Sequence, residues 1–438
     1  MSRRTQADPE HDAEGHAGEP RPGTFVALKD PVYRMLWIGG LLGFLAVQMQ
    51  FVARGWLAYD LTGSNKGLGA VYLGFGVPML LLTPWGGVAA DRLSKRKVLM
   101  GCQALLATSS GLIAVAIALD LIEYWMLIAS AVAQGAGFSF LGPARMAFTG
   151  ELVGRDRLAN AIVLQQMSMN GTRIFAPSVA GALIGMAFFG VAGVYFATTA
   201  FMLCALAVTV QLPPGSPRAD RPVQSPVAEL KAGVSYVFRR PLLRLLILTS
   251  FVVVMCVFPY VAFLPALAAE VYETGPSGYG LMNGVSAVGA LCATFFIASR
   301  ADGERAWRIQ AIAGGVFAVA VAVLGFAPNL PVALFVILTA GGASSAFQAL
   351  NNTLVLGNSD SEYHGRVQSL MMLSFSAFGM AALPIGIIAD AVGLRSTMLG
   401  MGIIGLTAIG LYTLSRGRIR RQDAAVTGAA QPEPAPAT

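Results

Sequence analysis

The chain has 438 residues, of which 55% are hydrophobic and only 12% are charged, and its formal net charge is +7. A typical soluble domain carries about 25% charged residues, so the composition excludes an ordinary soluble protein and indicates repeated membrane spans. The basic balance fits the positive-inside bias of membrane proteins and gives no reason to expect a nucleic-acid partner. The sequence contains no catalytic, metal-ligand or phosphate-loop pattern, so we expect neither a cofactor nor an enzyme.

Apolar runs recur from one end of the chain to the other. They are about 20 residues long and continuous rather than alternating, which predicts helices and not strands. The first six predicted spans are 34–58, 67–89, 98–119, 125–147, 161–186 and 190–211. The second six are 245–268, 277–299, 309–327, 331–350, 366–388 and 394–414. The predicted fold is an all-α membrane protein with twelve transmembrane helices.

The distribution of Lys and Arg orients these spans. With the N-terminus inside, 25 of the 30 Lys and Arg residues fall in cytoplasmic segments, and only Lys66 and Arg395 fall in outer loops. Basic residues collect on the cytoplasmic side of membrane proteins. We therefore expect a multi-pass protein of the cell inner (plasma) membrane with both termini in the cytoplasm.

A Pro-rich stretch after the sixth span divides the chain into two halves. The predicted units are a disordered tail 1–30, a six-helix bundle 31–211, a cytoplasmic linker 212–240, a second six-helix bundle 241–415 and a disordered tail 416–438. An internal repeat supports the division, because Gly69 and Gly280, and also Asp91 and Asp302, are 211 residues apart. Two halves in parallel register are typical of transporters.

The densest run of charge inside the apolar region is Gly87-Val-Ala-Ala-Asp91-Arg92-Leu-Ser-Lys95-Arg96-Lys97, between spans 2 and 3. It closely resembles the loop 2–3 signature of the major facilitator superfamily. Three further stretches resemble the branch that contains bacterial macrolide and enterobactin exporters: Trp56–Ser64, Gly142–Arg145 with Glu151–Arg155, and His364–Ser369. The resemblance covers residues 30–415 and implies two pseudo-symmetric six-helix bundles, alternating access and export of small molecules, usually driven by proton entry.

The sequence departs from the superfamily pattern at three places. Ala131 stands where the span 4 motif would have Arg, Ala176-Pro177 stands where the antiporter motif of span 5 would have Gly-Pro, and Val47 stands where many relatives have an acid. These departures leave proton coupling open without affecting the expectation of transport.

The charged turn is interpreted as part of a conformational gate. We expect Asp91 to lie beside the start of span 11 while the cavity faces outward, because a carboxylate is favoured at a helix N-terminus, and we expect Arg145 or Arg366 to be its cation. The predicted gate residues are Gly87, Asp91, Arg92, Arg96, Arg145, Gly365 and Arg366.

Polar residues inside spans are candidates for substrate binding, because charge within the membrane is costly. Gln166, Asn170 and Arg173 share one helix face. Arg173 either binds an anionic or carbonyl-bearing substrate or hydrogen-bonds carbonyls freed by Pro177, and Arg54 could instead pair with Asp60 or extend outward. The amides could bond between helices, and the aromatic residues could simply pack. The predicted set is Gln48, Arg54, Gln134, Phe138, Gln166, Asn170, Arg173, Phe258, Asn283 and Phe347.

The sequence is best interpreted as a secondary active transporter that exports small lipophilic or amphipathic molecules, such as drugs or siderophore-like compounds. The expected partners are the substrate, the lipid bilayer and protons as coupling ion, and we expect a monomer. Two alternatives are an uncoupled facilitator or importer of a metabolite or lipid, and a non-transporting membrane receptor.

Overall fold

A computed structural model describes residues 25–186, 188–215, 226–298, 303–360 and 363–429, and these residues form no strand. The helices of the first half are α1 (Pro31–Thr62), α2 (Asn65–Arg92), α3 (Lys95–Ala118), α4 (Tyr124–Gly185) and α5 (Gly190–Val210). The remaining helices are α6 (Pro226–Arg239), α7 (Pro241–Cys256), α8 (Gly275–Ala298), α9 (Gly303–Leu324), α10 (Leu330–Gly357), α11 (His364–Val392) and α12 (Leu394–Ala429).

Local chemistry sets the first helix boundaries. The Asp30 side chain accepts hydrogen bonds from the backbone N–H groups of Val32 and Tyr33, so it caps the N-terminus of α1. The helix ends at Gly63, whose φ of 56° is in the left-handed region that glycine adopts without strain. Ser64 then caps α2 by accepting a bond from the N–H of Gly67. One short turn therefore reverses the chain between two long apolar helices.

Ten helices of the described chain are long and apolar enough to cross a membrane. They coincide with ten of the twelve predicted spans. The other two predicted spans, 161–186 and 366–388, are also helical, within α4 and α11, but neither is among the ten. The first of them carries Gln165, Gln166, Asn170 and Arg173, which lower its mean hydropathy.

Helix α4 contains two of the predicted spans in one helical run. Its only non-helical residue is Gly154, with φ 68° and ψ 178°, a conformation that L side chains avoid. The chain reverses there, because Tyr124 at one end of α4 bonds to the carbonyl of Gly67 while Gly185 at the other end lies against Ser277. The loop expected between spans 4 and 5 is thus reduced to a break at one glycine.

Helix α7 loses regular geometry in its second part. After Cys256 the chain continues as a 3-10 helix, Phe258–Phe263, and then as a π-helical turn, Leu267–Val271. Pro259 and Pro265 lie in this stretch and cannot donate the backbone hydrogen bonds of a regular helix. The span expected over 245–268 is therefore present but interrupted.

The helices pack first within each half of the chain. In the first half, α1 and α2 pack on α4, and α3 packs on α5; in the second, α10 packs on α8 and α9, and α9 packs on α12. The most extensive contacts between the halves are those of α2 with α11 and of α4 with α8. We call the two ends of the molecule the Gly63 end, with the α1–α2 turn, and the Asp91 end, with the α2–α3 turn.

Helices also occur in two segments outside the predicted bundles. Residues 226–239 of the expected linker form helix α6, which packs on α2, α7 and α11, because its apolar face has a surface to cover. The expected disordered tail begins as helix, since α12 continues through Arg416 to Ala429. The tail 1–24 and residues 430–438 lie outside the described residues.

Candidate functional site

The two halves meet most closely at the Gly63 end, where glycines allow backbone contact between α2 and α11. A Cβ atom at Gly69 would lie 2.4 Å from the carbonyl oxygen of Ala382, and one at Gly76 would lie 3.0 Å from the Cα of Gly379. A Cβ atom at Gly386 would lie 2.3 Å from the carbonyl oxygen of Asn65. Small residues permit this approach between membrane helices, and no larger side chain would fit.

The contact between α4 and α8 is equally close and lies at the same end. A Cβ atom at Gly181 would lie 2.0 Å from the Cα of Gly280. One turn toward the membrane centre, a Cβ atom at Gly284 would lie 2.4 Å from the hydroxyl oxygen of Ser178. Both of these helix contacts therefore seal the Gly63 end.

Polar contacts add to this seal. The Tyr59 hydroxyl donates a hydrogen bond of 2.6 Å to Glu270. The Asp390 carboxylate accepts bonds from the backbone N–H groups of Asn65 at 2.8 Å and Lys66 at 2.9 Å, in the first turn of α2. Trp56 stacks on Tyr279 at 6.2 Å. Each contact joins one half of the chain to the other.

Toward the Asp91 end the same helix faces separate. On α2, a Cβ atom at Gly87 would meet nothing within 4 Å. On α8, the face of Gly280 and Gly284 continues to Val288 and Phe295, which are 48% and 74% exposed. The halves thus diverge into a cleft that is closed at the Gly63 end and open at the Asp91 end.

Arg173 and Gln166 of α4 face this cleft. They lie on one side of the helix with Ala180 and Ile184, which are 0% and 6% exposed near the Gly63 end. Farther along the same face, Arg173 and Gln166 are exposed. The opposite side of the helix carries the exposed apolar side chain of Phe175, as expected for a surface that contacts lipid. The expected polar stripe is therefore directed at the cleft, and the side chain of Asn170 lies outside the described residues.

Arg54 has partners that differ from those expected. It is buried, donates hydrogen bonds to Gln134 Oε1 at 2.6 Å and Ser130 Oγ at 3.3 Å, and does not pair with Asp60 or extend outward. Gln134 in turn donates to Gln50 at 2.9 Å. The reason is geometric, since residue 54 faces α4 across the interior of the first half, where amide and hydroxyl oxygens accept hydrogen bonds from the buried cation.

The aromatic and amide residues expected at the substrate site differ from one another in how far they are buried and in what they contact. Gln48 and Phe138 are half-buried, and the Phe138 ring lies 6.4 Å from Phe75. In the second half, side chains of the predicted set are engaged within their own half. Phe258 packs on Phe317, Asn283 donates to the Tyr279 carbonyl, and Phe347 is 1% exposed.

Arg145 is not the partner of Asp91 in this structure. It is 3% exposed, and its guanidinium lies 4.8 Å from the centre of the Phe44 ring and beside Gly40. Its Nε and Nη1 atoms have no hydrogen-bond partner among the described residues. Asp91 is exposed, and no ion pair of the described chain includes it. The two charges are separate because Arg145 points into the first half, toward α1.

The remaining gate residues are divided between two sites. Arg96 donates to the carbonyl oxygen of Leu212 at 2.8 Å, so it caps the end of α5 within its own half, while Arg92 is exposed. Gly365 lies in the first turn of α11, and the Arg366 guanidinium lies 5.0 Å from the centre of the Tyr363 ring. The side that carries the predicted gate is open in this structure.

Three residues at the interfaces were missed at the sequence level. Glu270 and Asp390 lie just beyond the ends of predicted spans, where helix periodicity gives no sign that they meet the first half. Tyr236 of α6 stacks on Tyr363 with ring centres 3.9 Å apart. The 211-residue repeat offered one signal, because it relates Tyr59 to Glu270.

Comparison with known proteins agrees with this architecture. Residues 22–437 match the family described as transmembrane secretion effector. The chain is 26% identical over 385 residues to the multidrug efflux pump Tap of Mycolicibacterium fortuitum, covering 85% of this chain and 93% of that protein. It is 25% identical over 351 residues to the staphyloferrin A transporter of Staphylococcus aureus, covering 76% and 85%. It is 22% identical over 398 residues to the macrolide efflux protein A of Streptococcus pyogenes, covering 89% and 96%.

Solved structures support the same fold. A bacterial homolog of the human lysosomal transporter Spinster, in an inward-facing and unoccupied conformation, aligns with a TM-score of 0.70 at 15% identity, covering 88% of this chain and 96% of that one. The family indicated by the sequence motifs is confirmed. The chain is a multi-pass membrane protein and belongs to the transmembrane secretion effector family of major facilitator superfamily transporters.

Proposed function

We propose that the protein is a secondary transporter that exports small lipophilic or amphipathic molecules by alternating access. The observation that carries the proposal is the cleft between the halves, which is sealed by backbone contact at Gly181 and Gly280 and open beyond Gly87. A cleft of this shape inside membrane-spanning helices admits a small molecule from one side only. Rocking of one half against the other would then expose the molecule to the opposite side.

The proposed layout has twelve membrane crossings in two bundles, 31–211 and 241–415, joined by the segment 212–240. It adds the helical segments 161–186 and 366–388 to the ten apolar helices. The Asp91 end is cytoplasmic in this layout, because 25 of the 30 Lys and Arg residues then lie in cytoplasmic segments. Both termini are in the cytoplasm, the membrane is the plasma membrane, and the transporter acts as a monomer.

The open cleft is then the inward-facing state, and the gate at the Asp91 end acts in the opposite state. When the cytoplasmic side closes, Asp91 approaches the start of α11 at Gly365 and Arg366. In the inward-facing state Asp91 has no such partner, which agrees with its exposure. Gly87 leaves room for the approach, since a Cβ atom there would meet nothing within 4 Å.

The proposed substrate site is centred on Arg173 and Gln166, which face the cleft, with Gln48 and Phe138 on α1 and α4. The other described residues of the predicted set would pack around this site and hold its helices in place. Arg54 and Gln134 form a network within the first half, and Phe258, Asn283 and Phe347 pack in the second.

Proton-driven export is the proposed coupling, and an uncoupled facilitator or importer is the second candidate. One observation favours the second: none of the 23 Asp and Glu residues lies within the twelve predicted spans, although membrane carboxylates are the usual proton carriers. Transport into proteoliposomes with and without an imposed pH gradient separates the two. Acceleration by the gradient supports antiport, and rates unaffected by the gradient and by the membrane potential support the facilitator.

The test of the proposal combines transport with a measurement of opening. A deletion strain is compared with its parent for sensitivity to a panel of drugs and siderophores, and we expect export of at least one compound to be lost. In purified protein with the four cysteines replaced, spin labels at residues 66 and 392 report the Gly63 end, and labels at 93 and 368 report the Asp91 end. Alternating access predicts that one distance lengthens when the other shortens. Unchanged sensitivity to every compound, or distances that change together, would overturn the proposal.

A further inference from the structure

The charged residues within the predicted spans are all of one sign. None of the 23 Asp and Glu residues lies within the twelve predicted spans, whereas Arg54, Arg145 and Arg173 lie within three of them, Arg145 close to the end of its span. All three belong to the first half. An isolated charge within the membrane is expensive unless a partner or water compensates for it, so each arginine must be accounted for.

Two of the three arginines are enclosed by the first half. Arg54 is 4% exposed and donates to Gln134 and Ser130. Arg145 is 3% exposed and lies over the Phe44 ring, where a cation is attracted to the negative ring face. Neither guanidinium is accessible from the cleft, so neither is available to a transported molecule.

Arg173 differs from both because its side chain is exposed. Within the described chain it makes no hydrogen bond and no ion pair, and none to the backbone near Pro177. Its helix face becomes buried toward the Gly63 end at Ala180 and Ile184, so the guanidinium points into the cleft near its closed end. An open, unpaired cation at this depth is arranged to meet a negative charge that arrives from outside the protein.

We propose that the transported molecules are organic anions whose carboxylate is held by the guanidinium of Arg173. The inference rests on the proposed function and specifies its substrate class. A guanidinium matches a carboxylate with two parallel hydrogen bonds, and the pairing strengthens where water is scarce. Because no acidic residue of the described chain pairs with Arg173, an anion lowers the electrostatic free energy of the cleft and a cation raises it.

The test uses three probes that share one ring system and differ in charge: 2-naphthoate, 2-naphthamide and 2-naphthylmethylamine. Their binding to the full chain in lipid nanodiscs is measured by equilibrium dialysis against empty nanodiscs. We expect 2-naphthoate to bind at least about tenfold more tightly than the amide, and the amine to bind most weakly. Arg173→Gln should remove the preference for the anion, and Arg173→Lys should retain part of it. Arg308→Gln, at an exposed position of α9, is the control and should retain all of it.

Each outcome has a definite meaning for the proposal. Tighter binding of the amine, equal binding of all three probes, absence of binding by 2-naphthoate, or an anion preference that survives in Arg173→Gln would overturn it. Proteoliposome transport of the same probes and of a neutral macrolide separates this failure from failure of the proposed function. Transport of the macrolide without the anion leaves the exporter intact and rejects anion selectivity, whereas no transport of any compound rejects both.

Discussion

The carboxylate of Asp390, near the end of α11, accepts a hydrogen bond of 2.8 Å from the backbone N–H of Asn65 in the first turn of α2. A second bond reaches the N–H of Lys66. A carboxylate at a helix N-terminus compensates for unpaired N–H groups and for the positive end of the helix dipole. This contact spans the two halves and holds the Gly63 end closed.

Replacing Asp390 with Asn should therefore loosen the Gly63 end. Loss of the negative charge costs about 1 kcal/mol at an exposed helix terminus, which changes a population ratio about fivefold. The distance between spin labels at residues 66 and 392 should shift toward longer values. Asp60→Asn is the control, because Asp60 is exposed at the same end and no hydrogen bond or ion pair of the described residues includes it. An identical distance distribution in Asp390→Asn and Asp60→Asn would contradict this role.

Replacing Gly181 with Ala should prevent closure of the Gly63 end. The new Cβ atom would lie 2.0 Å from the Cα of Gly280, and backbone atoms cannot move aside as a flexible side chain can. Overpacking costs about 1–3 kcal/mol, so we expect the open form of the Gly63 end to predominate and transport to fall about tenfold or more. Gly171→Ala on the same helix is the matched control, since a Cβ atom there meets nothing within 4 Å. Equal transport by the two variants would show the reasoning to be wrong.

Replacing Arg54 with Gln should lower thermal stability more than it alters substrate affinity. The change leaves the buried Gln134 oxygen without its donor, and an unsatisfied buried polar group costs about 1–3 kcal/mol. The melting temperature of the purified protein should fall, with the Kd for a transported compound unchanged in the folded fraction. A weaker Kd at an unchanged melting temperature would instead assign Arg54 to the substrate site.

Replacing Asp91 with Asn should reduce transport while leaving the structure with an open Asp91 end intact. Asp91 is exposed here, and no ion pair of the described residues includes it, so its removal should not lower the melting temperature. Its proposed contact with α11 exists only when the Asp91 end closes, and labels at residues 93 and 368 should report less of that state. This effect is opposite in direction to that of Asp390→Asn. Full transport activity in Asp91→Asn would refute the gate.

Helix α6 should be held mainly by its aromatic contact. Tyr236 stacks on Tyr363 with ring centres 3.9 Å apart, and its hydroxyl accepts a bond from the Asp360 N–H at 2.8 Å. The pair between Arg240 and Asp360 is largely exposed, so it should contribute less than about 1 kcal/mol. Tyr236→Ala should speed amide exchange in α6 about tenfold, and Tyr236→Phe should have a smaller effect. Asp360→Asn retains the backbone N–H and should change exchange little; an effect as large as that of Tyr236→Ala would contradict this ranking.

Membrane insertion, helix positions and family could be read from the sequence. Hydrocarbon imposes a length and an apolar composition on every span, and both are local properties of the chain. The charged turn at Asp91 was equally visible, because charge stands out in an apolar sequence. The stripe of Gln166 and Arg173 was also predictable, since helix periodicity alone sets which residues share a face.

The tertiary structure decided which residues meet. Arg54 could equally have turned toward Asp60, but the packing of α1 on α4 brought Gln134 and Ser130 within hydrogen-bond distance. In the sequence Asp390 is only an acidic residue at the end of a span, and its contact with α2 follows from the packing of α11 on α2. Contacts between the halves join residues that are hundreds of positions apart in the chain, and they depend on how the helices pack. A pattern of neighbouring residues does not show that packing. The sequence alone determined the spans and their charges, and the packing of the two halves decided which end is sealed and left Arg173 facing the cleft.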